Sequence, residues 1–166
     1  NEGWTVAKYL LEFERGGGGA APGLREALDH TRTLASLTRE DGSSLLERPE
    51  IASRLAALGV RLDAFELSEL RTLAGLAEGG SPGPESSLAK NLSVRLEQDI
   101  NTLALEVSAY YGLAQQPRGL ASNEEPFGPE AGVAVTGRYL NSRAASIFGG
   151  SEEVQKNIIA KAVLGL

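Results

Sequence analysis

The chain reads IASRLAALGVRLDAFELSELRTLAGL from Ile51 to Leu76 and LAKNLSVRLEQDINTLALEVSAY from Leu88 to Tyr110. In both runs the apolar residues recur at three- and four-residue spacing, which is typical of an amphipathic α-helix with one buried face. Between the runs, glycine and proline fill most of residues 78–84, and such residues end helices and form turns. We therefore expect two long helices, the first opened by Pro49 and the second ended by Gly112, that pack antiparallel. A coiled-coil homodimer would show similar spacing, but the other helices need this apolar surface to bury their own.

Two further helices are predicted before this pair. The first covers residues 1–15, NEGWTVAKYLLEFER, and ends at the run Gly16–Gly19, because successive glycines cost too much backbone entropy to continue a helix. The second begins near Pro22 and stops at Asp41-Gly42. Its inward stripe is only weakly apolar, so we expect this helix to be partly exposed, or to face a polar ligand or another subunit. The stripe consists of Leu24, Leu28, Thr31, Ala35 and Thr38.

After the long pair, the sequence predicts a loop and two more helices. Residues 114–136 show no periodicity, and a loop of that length is either functional or mobile. The last helices are expected at roughly residues 134–147 and 151–164. Because the chain shows essentially no strand signal and no solenoid repeat, its fold class is predicted to be all-α.

A Gly-Gly-Ser-Glu-Glu step joins the last two helices. Gly149 and Gly150 permit positive φ, and Ser151 is placed to cap the helix whose first turn holds Glu152 and Glu153. By itself this pattern is an ordinary turn between helices, although the unpaired N–H groups of a first turn also suit an anionic or oxygen-rich ligand. The apolar residues of the last helix predict that one of its faces is buried. They are Val154, Ile158, Ile159, Ala162 and Val163.

The composition excludes several functional classes. Sixteen basic against twenty-two acidic residues give a net charge of −6, and no basic run could follow a phosphate backbone, so nucleic acid is not an expected partner. With no cysteine and a single histidine, His30, the chain cannot form a disulfide, a thiolate zinc site or a histidine-rich metal site. No apolar run reaches the roughly 18 to 20 residues of a membrane span, and no signal peptide opens the chain, so we expect a soluble cytoplasmic protein.

Both ends of the chain resemble the acyl-CoA dehydrogenase family. Gly3-Trp4-Thr5-Val6-Ala7 and Phe13-Glu14-Arg15 are similar to the entry of that family's C-terminal helical domain. The other match lies in the last 25 residues, and it is long and fairly specific. It comprises Arg143, Ala144, Ile147, Gly149, Gly150, Glu153, Gln155, Asn157, Ile158, Ile159 and Leu164-Gly165-Leu166.

The resemblance implies a fold and a place in a larger protein. The implied fold is an antiparallel up-and-down four-helix bundle with additional terminal helices, formed by residues 1–166 as one domain. The family's N-terminal helical domain and central β-domain would lie on a missing part. Since the chain begins at Asn1 and contains no methionine, we expect a fragment, or a processed or incompletely represented chain.

The resemblance also implies a reaction and a base. Family members oxidise acyl-CoA thioesters at Cα–Cβ: a glutamate removes the α-proton and FAD accepts a hydride from the β-carbon. In many members that glutamate precedes the second glycine of the turn, a position taken here by Gly149. A second subgroup supplies the base from the first helix, which points to Glu14, whereas Glu12 lies on the far side of that helix at about 100° per residue. The alternative for Glu14 is a surface glutamate paired with Arg15 or solvent.

The flavin side is implied in the same way. Gly149, Gly150, Ser151 and Glu153 are candidates for contact with FAD, because the turn approaches the cofactor in the family. Arg143 would either reach a phosphate of FAD or pair with an acid on a neighbouring helix. One departure stands out: many members carry Arg-x-x-Phe-Gly between their second and third helices, and its arginine binds the FAD of a neighbouring subunit. Here residues 39–44 read REDGSS, with no aromatic residue and no such motif; Arg39 could substitute, although nothing in the spacing demands it.

Two functions remain open at the level of sequence. The first is the C-terminal domain of an FAD-dependent acyl-CoA dehydrogenase active in lipid metabolism, in a homo- or hetero-oligomer (dimer or tetramer) that passes electrons to an electron-transferring flavoprotein. The second is a non-catalytic partner subunit or helical interaction module of a mixed oligomer. The vacant base position at Gly149 and the missing arginine motif favour the second. The acyl chain is not defined, although the glycine run beside Glu14 would admit bulky or branched groups.

Overall fold

The computed structural model describes residues 2–16, 19–81, 83–117, 119, 121, 123 and 125–166, without the side chains of residue 8 and residues 11–16. The described part is helical except for one two-stranded hairpin. Its α-helices are α1 (Gly3–Gly16), α2 (Ala20–Leu37), α3 (Pro49–Ala77), α4 (Glu85–Val107), α5 (Val135–Ser142) and α6 (Glu152–Ile159). Short 3₁₀ segments cover Leu45–Glu47, Ala109–Leu113, Glu130–Gly132 and Arg143–Ser146, and a π-helical turn covers Ala160–Leu164.

Helix α4 is the centre of the domain. It packs against α1, α2, α3, α5 and α6, so the other helices are arranged around it. Its buried apolar side chains include Leu96, Ile100, Leu103 and Val107. On α3, Leu62 is completely buried as well, and a buried leucine of this kind contributes about 2 kcal/mol to folding.

Ion pairs fix the relative direction of the long helices. Arg61 of α3 pairs with Asp99 of α4, and Arg54, two turns earlier on α3, pairs with Glu106, two turns later on α4. Residue numbers at these contacts fall along α3 as they rise along α4, which shows that the two helices are antiparallel. The predicted all-α fold, an antiparallel up-and-down four-helix bundle with additional terminal helices, is thus confirmed.

The inward stripe predicted for α2 is confirmed. Leu24, Leu28, Thr31, Ala35 and Thr38 are all buried, while other positions of the helix are exposed, as expected for a partly exposed helix. Its two polar members do not prevent burial, because the hydroxyls of Thr31 and Thr38 donate to helix carbonyls one turn earlier.

The stop after α2 is also more structured than predicted. The helix ends at Leu37, and a small antiparallel hairpin follows, with β1 (Arg39–Glu40) pairing with β2 (Ser43–Ser44). Asp41 and Gly42 form its turn at φ values of 53° and 82°. Arg39 donates to the Gly42 carbonyl 3.2 Å away within this hairpin.

The expected buried face of the last helix was wrong. Val154 and Val163 are 50% and 62% exposed, whereas the buried residue of α6 is Gln155 at 1%. Polar contacts join α6 to α4: the Asn91 amide donates to the Glu152 carbonyl at 3.4 Å, and Arg95 pairs with Glu152. Helix α5 is likewise shorter than predicted, since the 3₁₀ segment Arg143–Ser146 replaces its last turn.

Candidate functional site

The turn between α5 and α6 has the backbone conformation that its glycines predicted. Gly149 has φ of 69° and Gly150 has φ of 90°, in the left-handed region where other residues are strained. Ser151 then caps α6, with its hydroxyl oxygen accepting from the Val154 N–H at 3.4 Å. Both expectations are confirmed, and the turn is a defined structure rather than a loose connection.

Side chains behind the turn bind its carbonyl oxygens. Lys90 of α4 donates from Nζ to the Ala145 carbonyl at 3.1 Å and to the Gly150 carbonyl at 2.7 Å. Gln155 donates from Nε2 to the Gly149 carbonyl at 3.0 Å. A side chain at Gly150 would be strained by its positive φ and would displace the Gln155 amide from the turn.

The environment of Lys90 opposes its charge. Burial lowers the pKa of Lys90, and the negative charges of Glu152 and Glu153 partly offset that effect. Moving the ammonium group out of water costs free energy, and the carbonyl dipoles and two nearby acids compensate for part of that cost.

Both acids in the first turn of α6 are tied locally. Lys156 and Arg95 hold the pKa of Glu152 below its usual range through hydrogen bonds, and the Lys156 ion pair measures 2.7 Å. Its own backbone N–H and the Ser151 hydroxyl lower the pKa of Glu153. Glu153 is exposed, so of the two acids it is the one open to a ligand.

Arg143 begins the 3₁₀ segment that precedes the glycines. Its Nη2 donates to the Gln98 carbonyl of α4 at 3.1 Å and to the Ser142 hydroxyl at 3.2 Å. Its guanidinium also lies over the Tyr139 ring, 4.7 Å from the centroid. The residue is exposed. Burial raises the pKa of Glu97, an acid of α4, and the charge of Arg143 offsets part of that effect. The sequence left open a phosphate or an acid as its partner; the hydrogen bonds of its Nη2 go to a carbonyl and a hydroxyl, and both alternatives stay predictions.

Glu14 belongs to α1, but its side chain lies outside the described residues. Helices α1 and α6 both pack against α4. The helix that holds the glycine turn therefore also supports the helix that bears Glu14. The role of Glu14 as base stays a prediction.

The structure also contains a cleft that the sequence did not predict. An open cleft of about 420 Å³ lies between α3 and α4, where its lining includes Phe65, Thr72, Leu88 and Leu92. At about 100° per residue, Leu88 and Leu92 lie on a different face of α4 from Lys90. The cleft and the glycine turn are thus built on the same turns of α4 but open in different directions.

Sequence reasoning missed Lys90, the residue that fixes the turn. It lies inside a helix two positions from Leu88, away from the apolar stripe, where a lysine is ordinarily solvated. Nothing in its sequence context distinguishes it from the exposed lysines of the chain. Only the packing of α6 on α4 shows its role.

Comparison with known proteins identifies the family. The family model "Acyl-CoA dehydrogenase, C-terminal domain" matches residues 1–164. The chain belongs to the acyl-CoA dehydrogenase family. In the part of this family domain that the structure describes, no helix is both long and apolar enough to cross a membrane, and no cluster of three metal-binding side chains occurs.

Relatives within the acyl-CoA dehydrogenases match almost the whole chain. Acyl-CoA dehydrogenase IpdE1 of Mycolicibacterium smegmatis is 30% identical over 165 residues, which are 99% of this chain and 37% of the relative. The chain thus spans little more than a third of the length of that curated relative.

Solved acyl-CoA dehydrogenases share the fold. The enzyme from Geobacillus kaustophilus superposes with a TM-score of 0.77 at 18% identity, over 96% of this chain and 38% of that one. The ChsE4-ChsE5 complex from Mycobacterium tuberculosis gives a TM-score of 0.66 at 24% identity, over 86% of this chain and 35% of that one.

Proposed function

We propose that this chain is the C-terminal helical domain of an FAD-dependent acyl-CoA dehydrogenase, which introduces a Cα–Cβ double bond into an acyl-CoA thioester. The family match over residues 1–164 carries this proposal. Residues 1–166 would form one domain of a longer protein, in keeping with the 37% of IpdE1 that the chain spans. Activity, substrate and partners belong to that longer protein.

The glycine turn has features that fit FAD. Gly149 is exposed, and among the described residues no acceptor is recorded for the backbone N–H of Gly150 or of Ser151. An acidic cofactor with many oxygen acceptors suits such a surface at a helix N-terminus. We assign Gly149, Gly150, Ser151, Glu153 and Arg143 to cofactor contact. When bound, FAD would accept the hydride from the β-carbon of the substrate.

Glu14 is the proposed base that removes the α-proton. Gly149 has no side chain to serve in the position where many family members carry their glutamate. The N-terminal helix then has to supply the carboxylate, and α1 is held on the helix that fixes the glycine turn. A carboxylate used in this way needs to be within hydrogen-bond reach of the proton it removes.

The test compares Glu14→Gln with Glu12→Gln in the full-length protein. Both changes remove one carboxylate from α1, but residues two apart on a helix lie on different sides. With an acyl-CoA panel under anaerobic conditions, Glu14→Gln should slow flavin bleaching by at least about a hundredfold while flavin content is unchanged. Glu12→Gln should bleach like the unaltered protein. Normal bleaching in Glu14→Gln would exclude it as the base.

A second function is supported by a specific departure from the family. The hairpin at residues 39–44 stands where many members carry an arginine motif for FAD, and Arg39 is bonded within that hairpin. Such a subunit would act as a non-catalytic partner in a mixed oligomer, and one structural neighbour was solved as a complex, ChsE4-ChsE5. This alternative would be favoured if the full-length protein is purified without flavin and binds flavin only when a partner subunit is added. An active homo-oligomer would instead bind flavin without a partner subunit and would reduce an electron-transferring flavoprotein.

A further inference from the structure

We infer that Lys90 is a positioning residue, which holds the Gly149–Ser151 turn so that two backbone N–H groups face outward as a donor pair for a ligand oxygen. The identification of that ligand as FAD rests on the proposed function. The positioning itself rests only on the geometry of the turn.

The direction of the N–H groups follows from the carbonyls. The described residues contain no cis peptide bond, and in a trans peptide the N–H points opposite to the carbonyl of the preceding residue. Gln155 holds the Gly149 carbonyl toward α6, so the Gly150 N–H points the other way. Lys90 holds the Gly150 carbonyl toward α4, so the Ser151 N–H points away from α4.

Lys90 is the member of this arrangement that connects the turn to the core. It comes from α4, 60 positions before Gly150 along the chain, whereas Gln155 moves with the same helix as the turn. Its ammonium binds carbonyls on both sides of the turn, Ala145 and Gly150, and its stem passes under Gly149, with Cε 3.8 Å from the place of a Cβ. Bonds from a charged donor are roughly twice as strong as neutral ones. Without them, both glycines are free to use the wide φ range that glycine allows.

Hydrogen–deuterium exchange in the full-length protein tests the positioning without reference to flavin. Lys90→Met keeps the stem and removes the ammonium, and Lys161→Met removes the same charge from an exposed site beyond α6. Lys90→Met should speed exchange over residues 145–155 by at least about tenfold, because two charged hydrogen bonds are lost. Lys161→Met should leave these rates unchanged. Equal exchange in Lys90→Met and the unaltered protein would overturn the inference.

Flavin binding measures the effect on the ligand. Reconstitution of full-length apoprotein with FAD should show a dissociation constant about tenfold higher for Lys90→Met, which corresponds to about 1.4 kcal/mol. Lys161→Met should bind within about twofold of the unaltered protein. If the unaltered protein binds no FAD, the proposed function fails, while the exchange experiment still decides the role of Lys90.

Chemical restoration separates the ammonium from mere packing. The chain contains no cysteine, so Lys90→Cys offers one thiol in this domain. Alkylation with 2-bromoethylamine rebuilds an ammonium of nearly lysine length and should restore slow exchange, whereas iodoacetamide should not. Restoration by both reagents alike would overturn the inference. If Lys90→Met does not fold, Lys90→Gln, with a shorter neutral donor, should show the same changes to a smaller degree, and unchanged exchange there would also contradict it.

Discussion

At the scale of single residues, Glu97 of α4 lies in an environment that opposes its charge. Burial raises the pKa of Glu97, and the charge of Arg143 offsets only part of that effect. It lines a polar cleft between α2, α4 and α5 together with Asn101 and Arg138. A carboxyl whose pKa is raised by folding binds its proton more tightly in the folded state, so its contribution to stability is present at low pH and is lost as pH rises through the folded pKa.

Glu97→Gln should therefore stabilise the protein at pH 7 and have little effect at pH 4. The amide mimics the protonated acid, which is the form that the folded state favours. We expect the melting temperature at pH 7 to rise by up to about 3 °C in thermal unfolding followed by circular dichroism. Glu125→Gln, the same change at an exposed loop position, serves as the control and should not shift it. An equal rise at both pH values would contradict the assignment of the gain to ionisation.

At the scale of the elements, the start of α2 depends on a side chain from α3. The cap position of α2 is Gly19, which has no side chain, and the first turn of the helix contains no acid. The carboxylate of Glu69 replaces the cap, accepting from the N–H groups of Gly19, Ala20 and Ala21 at 3.2, 3.1 and 3.0 Å. Glu69 is 8% exposed, and three donors together with the helix dipole compensate for the burial of its charge. This contact also anchors the end of the glycine run that follows α1.

Glu69→Ala should lower the free energy of unfolding by about 2 kcal/mol, because the first N–H groups of α2 lose their acceptor. Glu69→Gln retains one acceptor oxygen and should cost roughly half as much. Glu66→Gln is the matched control on the same helix, since it removes only a surface pair with Arg25 and should cost less than about 1 kcal/mol. Urea unfolding of the three variants measures these differences. A loss in Glu69→Ala no greater than in the control would show that the cap contributes nothing.

For the whole molecule, helix α4 connects the two parts of the proposed site. The proposed base on α1 and the glycine turn before α6 are both supported by this helix. The chain spans 37% of its relative IpdE1, and under the proposed function the flavin would lie between a β-domain of the longer protein and this domain.

We expect the 166-residue chain alone to show no acyl-CoA oxidation, whereas the full-length protein oxidises an acyl-CoA with an electron-transferring flavoprotein as acceptor. The measurement is anaerobic flavin reduction with added FAD, after cooperative thermal unfolding has shown that the isolated chain is folded. Turnover by the isolated chain would contradict this prediction.

The sequence by itself determined the long helices, the conformation of the glycine turn, the Ser151 cap and the family, because these depend on spacing and on residues close together in the chain. It failed where distant residues meet. Packing between helices buries Gln155 instead of Val154. The cap that Glu69 supplies and the hydrogen bonds of Lys90 to the turn are likewise contacts between residues of different elements. Glu69 and Lys90 bind partners that lie 48 to 60 positions away in the sequence, and no local sequence pattern identifies either residue. Only the tertiary structure decided these contacts, since a charged side chain in a helix is buried or solvated according to what packs against it.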